Sequence, residues 1–131
     1  MAEEHSPNYG SFAWNELATT NIDACRSFYS TLLGWEASEM PMEGMTYTVF
    51  SKGGKQVAGM MPIAPEWGEV PPHWLGYISV EDVDVSAGMV ESLGGSILVP
   101  PTDIPTIGRF AVIKDPAGAV VSIMTFLPMP E

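Results

Sequence analysis

The chain has 131 residues, of which 46% are apolar and 16% charged, so it can bury the core of one domain and is not a disordered chain. The chain has five Lys and Arg residues and sixteen Asp and Glu residues. The net charge of −11 excludes the basic face that nucleic acid or an anionic membrane requires, and favours a neutral or cationic small molecule as partner.

The single cysteine, Cys25, excludes an internal disulfide and a multi-cysteine zinc site. Residues 1–7 are acidic and polar, without the basic and apolar regions of a signal peptide. No run approaches the roughly 18 consecutive apolar residues of a membrane span. We therefore expect a cytoplasmic protein.

The first half of the chain predicts four strands and one helix after a polar tail over residues 1–10. Apolar residues recur with helical spacing between the N-cap candidate Asn21 and the helix stop Gly34. Trp14 and Glu16 share one face of the first strand, because side chains alternate along a strand. The predicted order is strand, helix and three strands, over residues 11–18, 22–33, 35–40, 46–50 and 56–63.

The same order begins again after residues 64–72, which are rich in Pro and Gly and predict a linker. A strand over 73–80 precedes a helix over 83–93, and Gly94 follows that helix. The remaining predictions are a strand over 96–99, a Pro-rich loop over 100–105, strands over 108–114 and 119–126, and a short tail over 127–131.

The two halves match at one gapless shift of 61 residues, the difference between 93 and 32. This shift pairs Leu32-Leu33-Gly34 with Leu93-Gly94-Gly95, and Asn21-Ile22-Asp23 with Asp82-Val83-Asp84. A shift that spans strand, cap, helix and helix stop indicates a duplicated unit. We predict an α+β fold of two βαβββ modules, over residues 11–63 and 73–126, which pack as one domain.

Several motifs resemble the glyoxalase/bleomycin-resistance/extradiol-dioxygenase superfamily, also called vicinal oxygen chelate proteins. They are Phe28-Tyr29, Leu33-Gly34-Trp35-Glu36 and, before the last strand, Asp115-Pro116-Ala117-Gly118. The resemblance covers about residues 11–126. It implies that the sheets of the two modules curl around a cleft that binds a small molecule.

The resemblance also implies four metal positions, on the first and last strand of each module, which typically carry His or Glu. In this chain they fall on Trp14, Gly59, Leu75 and Ser122. Indole is only a donor, Gly and Leu carry no ligand atom, and a Ser hydroxyl is a poor ligand. The nearby Glu16 and His73 are too few to complete a site. We therefore expect no metal and no cofactor.

Three charged or titratable residues are candidates for chemistry, and each has a plain alternative. Glu16 could act as a general base or as a counter-charge for a cationic ligand, or it could be a carboxylate satisfied by Arg109 or by backbone donors. Arg109 could bind an oxyanion or form an ordinary ion pair. His73 could act as an acid or base, or be an exposed residue at the start of a strand.

An aromatic and sulfur-rich set of side chains could line a ligand pocket, although an ordinary core would use the same residues. The predicted ligand-binding residues are Trp14, Glu16, Tyr47, Met60, His73, Tyr77, Ser122 and Met124.

Three functions remain open at this point. The leading hypothesis is a metal-independent module that binds an apolar or cationic small molecule. The second is a glyoxalase-like enzyme (a lyase, isomerase or hydroxylase-like protein) with Glu16 as base and Arg109 as oxyanion partner. The third is a stress-related or structural protein whose cleft is vestigial. We expect a homodimer, because two such modules can also pair between chains.

Overall fold

The computed structural model describes residues 9–42, 44–64, 70–104 and 107–127. The first half contains β1 (Phe12–Thr19), α1 (Ile22–Leu33), β2 (Glu36–Met42), β3 (Met45–Lys52) and β4 (Lys55–Pro62). The second contains β5 (His73–Ser79), α2 (Val83–Val90) with a 3-10 turn (Glu91–Leu93), β6 (Ser96–Ile104), β7 (Gly108–Lys114) and β8 (Val120–Phe126). The predicted α+β class with two βαβββ modules is confirmed.

The chain divides into two compact units. One unit is Trp14–Leu75, and the other comprises the described residues before and after it. The backbone of Gly10 and Ser11 pairs with Ser79, which ties the described start of the chain to the second unit. The predicted module boundaries over residues 11–63 and 73–126 stay a prediction. Within the described residues, no helix combines the length and apolar character that a membrane crossing requires.

In the first unit the strand order is β2-β3-β4-β1, with β1 parallel to β4 and the other neighbours antiparallel. The core lies between this sheet and α1, and consists of Leu17, Phe50, Ala58 and Met60. Partly buried residues of α1, among them Ile22, pack against it. The sheet therefore has one face that is covered by the helix and one that is not.

In the second unit the order is β5-β8-β7-β6, with β5 parallel to β8. Its core is smaller and aliphatic, made of Val83, Ala111 and Ile123. Glu16 lies opposite Gly59 in the first unit, and Tyr77 lies opposite Ser122 in the second. Glu16 and Tyr77 are also paired by the shift of 61 residues, so the duplicated pattern in the sequence corresponds to a duplicated register.

Local signals place both helices. The side chain of Asn21 accepts a hydrogen bond from the N–H of Ala24, and Gly34 ends α1 in the left-handed conformation with φ of 74°. Asp82 caps α2 in the same way, through the N–H groups of Asp84 and Val85. The second helix is shorter than predicted, because its last turn tightens into the 3-10 turn before Gly94.

One predicted loop is wrong. Instead of ending at Val99, β6 continues through Pro100 and Pro101 to Ile104, with two irregularities in its register against β7. Proline lacks the N–H that a central strand must donate, but β6 is the last strand in the order of its unit and needs hydrogen bonds on one side only. Residues 105–106 of the predicted loop, the centre of the predicted linker and most of the two predicted tails lie outside the described residues.

Candidate functional site

A chain of hydrogen bonds lies on the face of the first sheet that α1 does not cover. Leu17 belongs to the core, so its neighbour Glu16 and the next alternate residue, Trp14, point to the opposite face. The indole Nε1 of Trp14 donates to the hydroxyl of Tyr47 at 3.0 Å, and that hydroxyl donates to Oε2 of Glu16 at 2.7 Å. All three side chains are half-buried. Trp14 of β1 is thus the first donor, Tyr47 of β3 both accepts and donates, and Glu16 of β1 is the final acceptor.

Strand β4 lies between β1 and β3, and Gly59 is its residue opposite Glu16. A β-carbon built on Gly59 would overlap the hydroxyl group and the ring of Tyr47. The phenol can therefore reach Glu16 only because position 59 has no side chain. A glycine inside a strand often marks such a close approach.

Burial raises the pKa of Tyr47 far above its ordinary value, and the negative charge of Glu16 and the hydrogen bond to it raise the pKa further. The hydrogen bond from Trp14 acts in the opposite direction and is the smallest cause. Tyr47 consequently keeps its proton at neutral pH and acts as a hydrogen-bond donor. Glu16 is the natural acceptor, since an ionised carboxylate has about four acceptor positions.

The side chains at the family's metal positions are not suited to bind a metal ion in this chain. Trp14 directs an N–H toward Tyr47, and the space beside Gly59 is filled by the phenol. Ser122 is fully buried and donates its hydroxyl hydrogen to the carbonyl of Ala111 at 2.9 Å. Within the described residues there is no group of three or more His, Cys, Asp or Glu side chains that could hold an ion.

The uncovered face of the second sheet carries three of the predicted ligand-binding residues. Tyr77, Ser122 and Met124 are all buried, and the ring of Tyr77 lies 6.5 Å from that of Phe110. Tyr77 and Ser122 are partners in the β5–β8 register. The hydroxyl of Ser122 is used within the sheet, and the ligand-binding role of these three residues stays a prediction.

The structure corrects the assignment of Met60. Its side chain is 0% exposed and lies in the core with Leu17 and Phe50, on the helix side of the sheet. Gly59, its neighbour, takes the position on the face of Glu16. Because adjacent residues of a strand point to opposite faces, Met60 cannot line the same surface as Tyr47.

Arg109 is held by two carboxylates of its own unit. Its Nε and Nη2 donate to the two oxygens of Asp84 at 2.9 and 3.1 Å, and its Nη1 donates to Asp103 at 3.0 Å. These bonds raise the pKa of Arg109 and lower the pKa of Asp84. The structure thus presents the ion pair that was the plain alternative for Arg109, and the role of oxyanion partner stays a prediction.

His73 begins β5, and its Nδ1 lies 2.8 Å from the carbonyl of Pro71. This contact fixes the ring at the start of the strand. An acid or base role for His73 also stays a prediction.

Two surface pockets lie beside the first turns of the helices. One, of about 530 Å³, is lined by Asp84, Asp103 and Arg109, and the other, of about 380 Å³, by Arg26 and Thr48 among others. Neither contains Glu16 or Tyr47. We place the candidate site on the sheet face rather than in these pockets, because Arg109 in the first pocket already pairs with Asp84 and Asp103.

Sequence reasoning missed the relation between Tyr47 and Gly59, although it singled out both residues. The available signal was the glycine in the middle of a predicted strand. It also missed Arg26, whose Nη2 binds both Asp23 and Glu39. No local pattern indicates this contact, because Glu39 comes from β2.

Residues 11–123 match the Glyoxalase/Bleomycin resistance protein/Dioxygenase superfamily. Among curated proteins, the chain is 38% identical over 120 residues to "Putative glyoxylase CFP32" of Mycobacterium tuberculosis, covering 91% of this chain and 45% of that protein. It is 33% identical over 127 residues to "Anthracycline biosynthesis protein DnrV" of Streptomyces peucetius, covering 87% of this chain and 46% of that protein. The chain thus spans a little under half the length of these relatives.

Among solved structures, methylmalonyl-CoA epimerase from Mycobacterium tuberculosis matches with a TM-score of 0.66 and 16% identity, covering 98% of this chain and 97% of that one. A single-residue variant of methylmalonyl-CoA epimerase from Streptomyces coelicolor, in complex with 2-nitronate-propionyl-CoA, matches with a TM-score of 0.63 and 17% identity, covering 94% of this chain and 100% of that one. At such identities the likeness concerns the fold alone. The match over residues 11–123 and the identity to curated relatives show that the chain belongs to the Glyoxalase/Bleomycin resistance protein/Dioxygenase superfamily.

Proposed function

We propose that this chain binds a small aromatic molecule without a metal, on the uncovered sheet face of the unit Trp14–Leu75. The ligand presents a cationic or hydrogen-bond-donating group to Glu16. The observation that carries the proposal is the chain of hydrogen bonds from Trp14 through Tyr47 to Glu16.

The chemistry of these three side chains supports that class of ligand. The half-buried carboxylate of Glu16 attracts a cation more strongly than an exposed one would, because water screens it less. Trp14 offers an aromatic surface beside it, and aromatic faces bind both flat rings and cations. The net charge of −11 adds a long-range attraction for cations.

The names of the relatives are compatible with this class. DnrV is named for anthracycline biosynthesis, and anthracyclines are flat aromatic compounds. Because the chain spans less than half of DnrV, only the compound class in that name is carried over, and the activity of the whole relative is not assigned to this chain.

An enzymatic function is the second candidate, and the 2.7 Å hydrogen bond between Tyr47 and Glu16 favours it. A carboxylate beside a phenol that keeps its proton can remove a proton and stabilise the resulting oxyanion. CFP32 is named a putative glyoxylase, and the similar solved structures include epimerases. The reactions of these enzymes are therefore the first to test. Arg109 would have to release its two carboxylates to take part.

The binding proposal is tested with a matched pair of probes, N-methylquinolinium and neutral quinoline, by isothermal titration calorimetry. We expect the cation to bind more tightly than quinoline. Glu16→Gln should weaken binding of the cation by about five- to tenfold and leave quinoline unchanged, since only the charge is removed. Glu36→Gln is the control, because Glu36 is an exposed acid of the same unit. Equal affinity of the two probes, or equal effects of the two variants, contradicts the proposal.

The enzyme hypothesis is tested with methylmalonyl-CoA in D₂O, by following exchange of its α-hydrogen with NMR. Exchange that is abolished by Glu16→Gln and retained by Glu36→Gln would support catalysis. Absence of exchange with the wild-type chain would leave epimerase chemistry without support.

The proposed assembly is a homodimer, and the proposed location is the cytoplasm. Light scattering of the purified chain tests the first: a mass of twice the chain is expected, and a monomer at all concentrations contradicts it.

A further inference from the structure

Position 59 and position 47 are coupled across the first sheet. Gly59 pairs with Val49 of β3 on one side and with Glu16 of β1 on the other. Tyr47 lies two residues before Val49, so its ring points to the same face and extends over β4. Its hydroxyl occupies the space where the side chain of residue 59 would begin.

The coupling decides what kind of group this face presents. A residue with a lone pair for a metal at position 59, such as His or Glu, would need the space that the phenol occupies. With glycine there, the face presents an O–H group instead, held by Trp14 on one side and Glu16 on the other.

We propose that Tyr47 and Gly59 form a matched pair that replaces a metal ligand of the family by a hydrogen-bond donor. The pair selects ligands that carry a donor and a carbonyl acceptor on neighbouring atoms, such as a cyclic amide. This inference rests on the proposed function, since it names the ligand class of the same site.

The selection follows from an exchange of hydrogen bonds. In the free chain the proton of Tyr47 is used by Glu16. A cyclic amide donates its N–H to Glu16, which frees the Tyr47 hydroxyl to donate to the adjacent carbonyl. Both protein groups remain satisfied, so binding does not leave a buried polar group without a partner. A ligand with the carbonyl alone would remove the hydrogen bond from Tyr47 to Glu16 and would not replace it.

The steric part is tested by a double-mutant cycle of Gly59→Ala and Tyr47→Ala, measured by thermal unfolding. Gly59→Ala alone should lower Tm by about 4 °C, since the new methyl group displaces the phenol and breaks two hydrogen bonds. In the Tyr47→Ala background the same change should have little effect, because the space is then open. Gly88→Ala is the control, because a β-carbon there meets nothing within 4 Å.

A second measurement on the same variants does not depend on stability: it follows the NMR resonance of the indole N–H of Trp14. The Trp14→Phe variant identifies this resonance among those of the four tryptophans. Gly59→Ala should shift this resonance, and Gly88→Ala should not. Additive effects in the cycle, or an unchanged resonance in Gly59→Ala, would overturn the steric coupling.

The ligand class is tested with 2-quinolone, which has adjacent N–H and C=O groups, and with N-methyl-2-quinolone, which lacks the donor. We expect 2-quinolone to bind the wild-type chain about tenfold more tightly than its methylated form, and to lose about three- to tenfold in Tyr47→Phe. N-methylquinolinium has no acceptor for the Tyr47 hydroxyl, so it should lose less affinity in Tyr47→Phe than 2-quinolone does.

These outcomes separate the two proposals. Equal binding of 2-quinolone by the wild type and by Tyr47→Phe overturns this inference even if the cation depends on Glu16. Loss of the dependence on Glu16 for the cation overturns the proposed function, whatever Tyr47 does.

Discussion

The two units share one architecture but differ in what their strands carry. On the uncovered face of the first sheet, Trp14, Tyr47 and Glu16 form a polar chain. The corresponding face of the second sheet has buried Tyr77 and Met124, and the hydroxyl of Ser122 is used internally. Among the described residues, the chain of hydrogen bonds from Trp14 to Glu16 belongs to the first unit, which is why we place the candidate site there.

The cores differ as well. The core of the first unit is built around an aromatic ring, with Phe50 fully buried and Trp35 5.1 Å from it between ring centroids. Tyr29 packs against both Trp35 and Trp74 and accepts a hydrogen bond from the indole of Trp74 at 3.2 Å. The core of the second unit uses small aliphatic residues.

The largest expected effect is the loss of that buried ring. Phe50→Ala should reduce the free energy of unfolding by about 3–5 kcal/mol, because it removes a large apolar group and leaves a cavity. In the second unit the comparable change is Ile123→Ala, because Ile123 is also a buried core residue. It should reduce the free energy of unfolding by about 2–5 kcal/mol. Chemical denaturation measures both.

Phe12→Ala is the control for Phe50→Ala, because Phe12 is 66% exposed. A loss from Phe50→Ala that is no larger than the loss from Ile123→Ala would show that the aromatic core does not distinguish the units energetically.

The second effect concerns alkaline pH and arises from the raised pKa of Tyr47. In the unfolded chain Tyr47 releases its proton near pH 10, whereas in the folded chain it keeps it. Above pH 10 the unfolded state therefore binds fewer protons, and stability falls as pH rises. We expect a loss of about 1 kcal/mol per pH unit above pH 10 for the wild type relative to Tyr47→Phe.

Denaturation of both proteins between pH 8 and pH 11 measures this difference, with Tyr9→Phe as a control because Tyr9 is exposed. If the wild type and Tyr47→Phe respond in parallel, then Tyr47 is not held as a protonated donor, and the first unit loses the feature that sets it apart.

Much of the fold could be predicted from local signals. The helix Ile22–Leu33, its cap Asn21 and its stop Gly34 all follow from residues within one turn of each end. The turn between β3 and β4 has Gly53 and Gly54, both with positive φ, and a Gly-Gly pair between two strands is a local signal for a hairpin. Such features depend on near neighbours and are visible in the sequence.

What failed depends on distant neighbours. Proline in β6 is tolerated because of the position of the strand in its sheet, and strand order is not a local property. Met60 and Gly59 could not be assigned to faces without the register of β4 against β1. The bond between Tyr47 and Glu16 joins residues 31 positions apart, so the sequence supplied the residues of the candidate site but not their contacts.

A third, smaller contrast concerns two buried hydroxyl groups. Within the described residues, the Oγ1 of Thr48 is buried without a hydrogen-bond partner, whereas Ser122 donates to Ala111. Thr48→Val should raise the free energy of unfolding by about 1 kcal/mol, since it removes an unsatisfied polar group and conserves shape. Ser122→Ala should lower it by about 1 kcal/mol, since it removes a satisfied one.

Chemical denaturation of the two variants checks the opposite signs. Destabilisation by Thr48→Val would mean that its hydroxyl has a partner in solution, and the contrast between the two hydroxyls would disappear.

The smallest expected effect lies in how each unit ties a helix to its sheet through arginine. Arg26 uses a single nitrogen, Nη2, for Asp23 and Glu39, at 3.1 and 2.6 Å. Arg109 uses two nitrogens for Asp84 and a third for Asp103. A lysine ammonium can replace a single nitrogen but not a planar fork. We therefore expect Arg109→Lys to lower Tm more than Arg26→Lys does.

Both ion pairs are exposed to solvent, so the difference should be a few degrees at most and should vanish in 1 M NaCl. The difference between the two variants should also depend on pH. The pKa of Asp84 is lowered in the folded chain, so the ion pair with Arg109 stabilises the fold above the ordinary carboxyl pKa. This stabilisation is lost as pH falls below about 4. Thermal unfolding at pH 7 and pH 3, in low and high salt, measures this. If Arg26→Lys is the more damaging change, the geometry of the fork does not matter, and lost packing of the half-buried Arg26 stem is the better explanation.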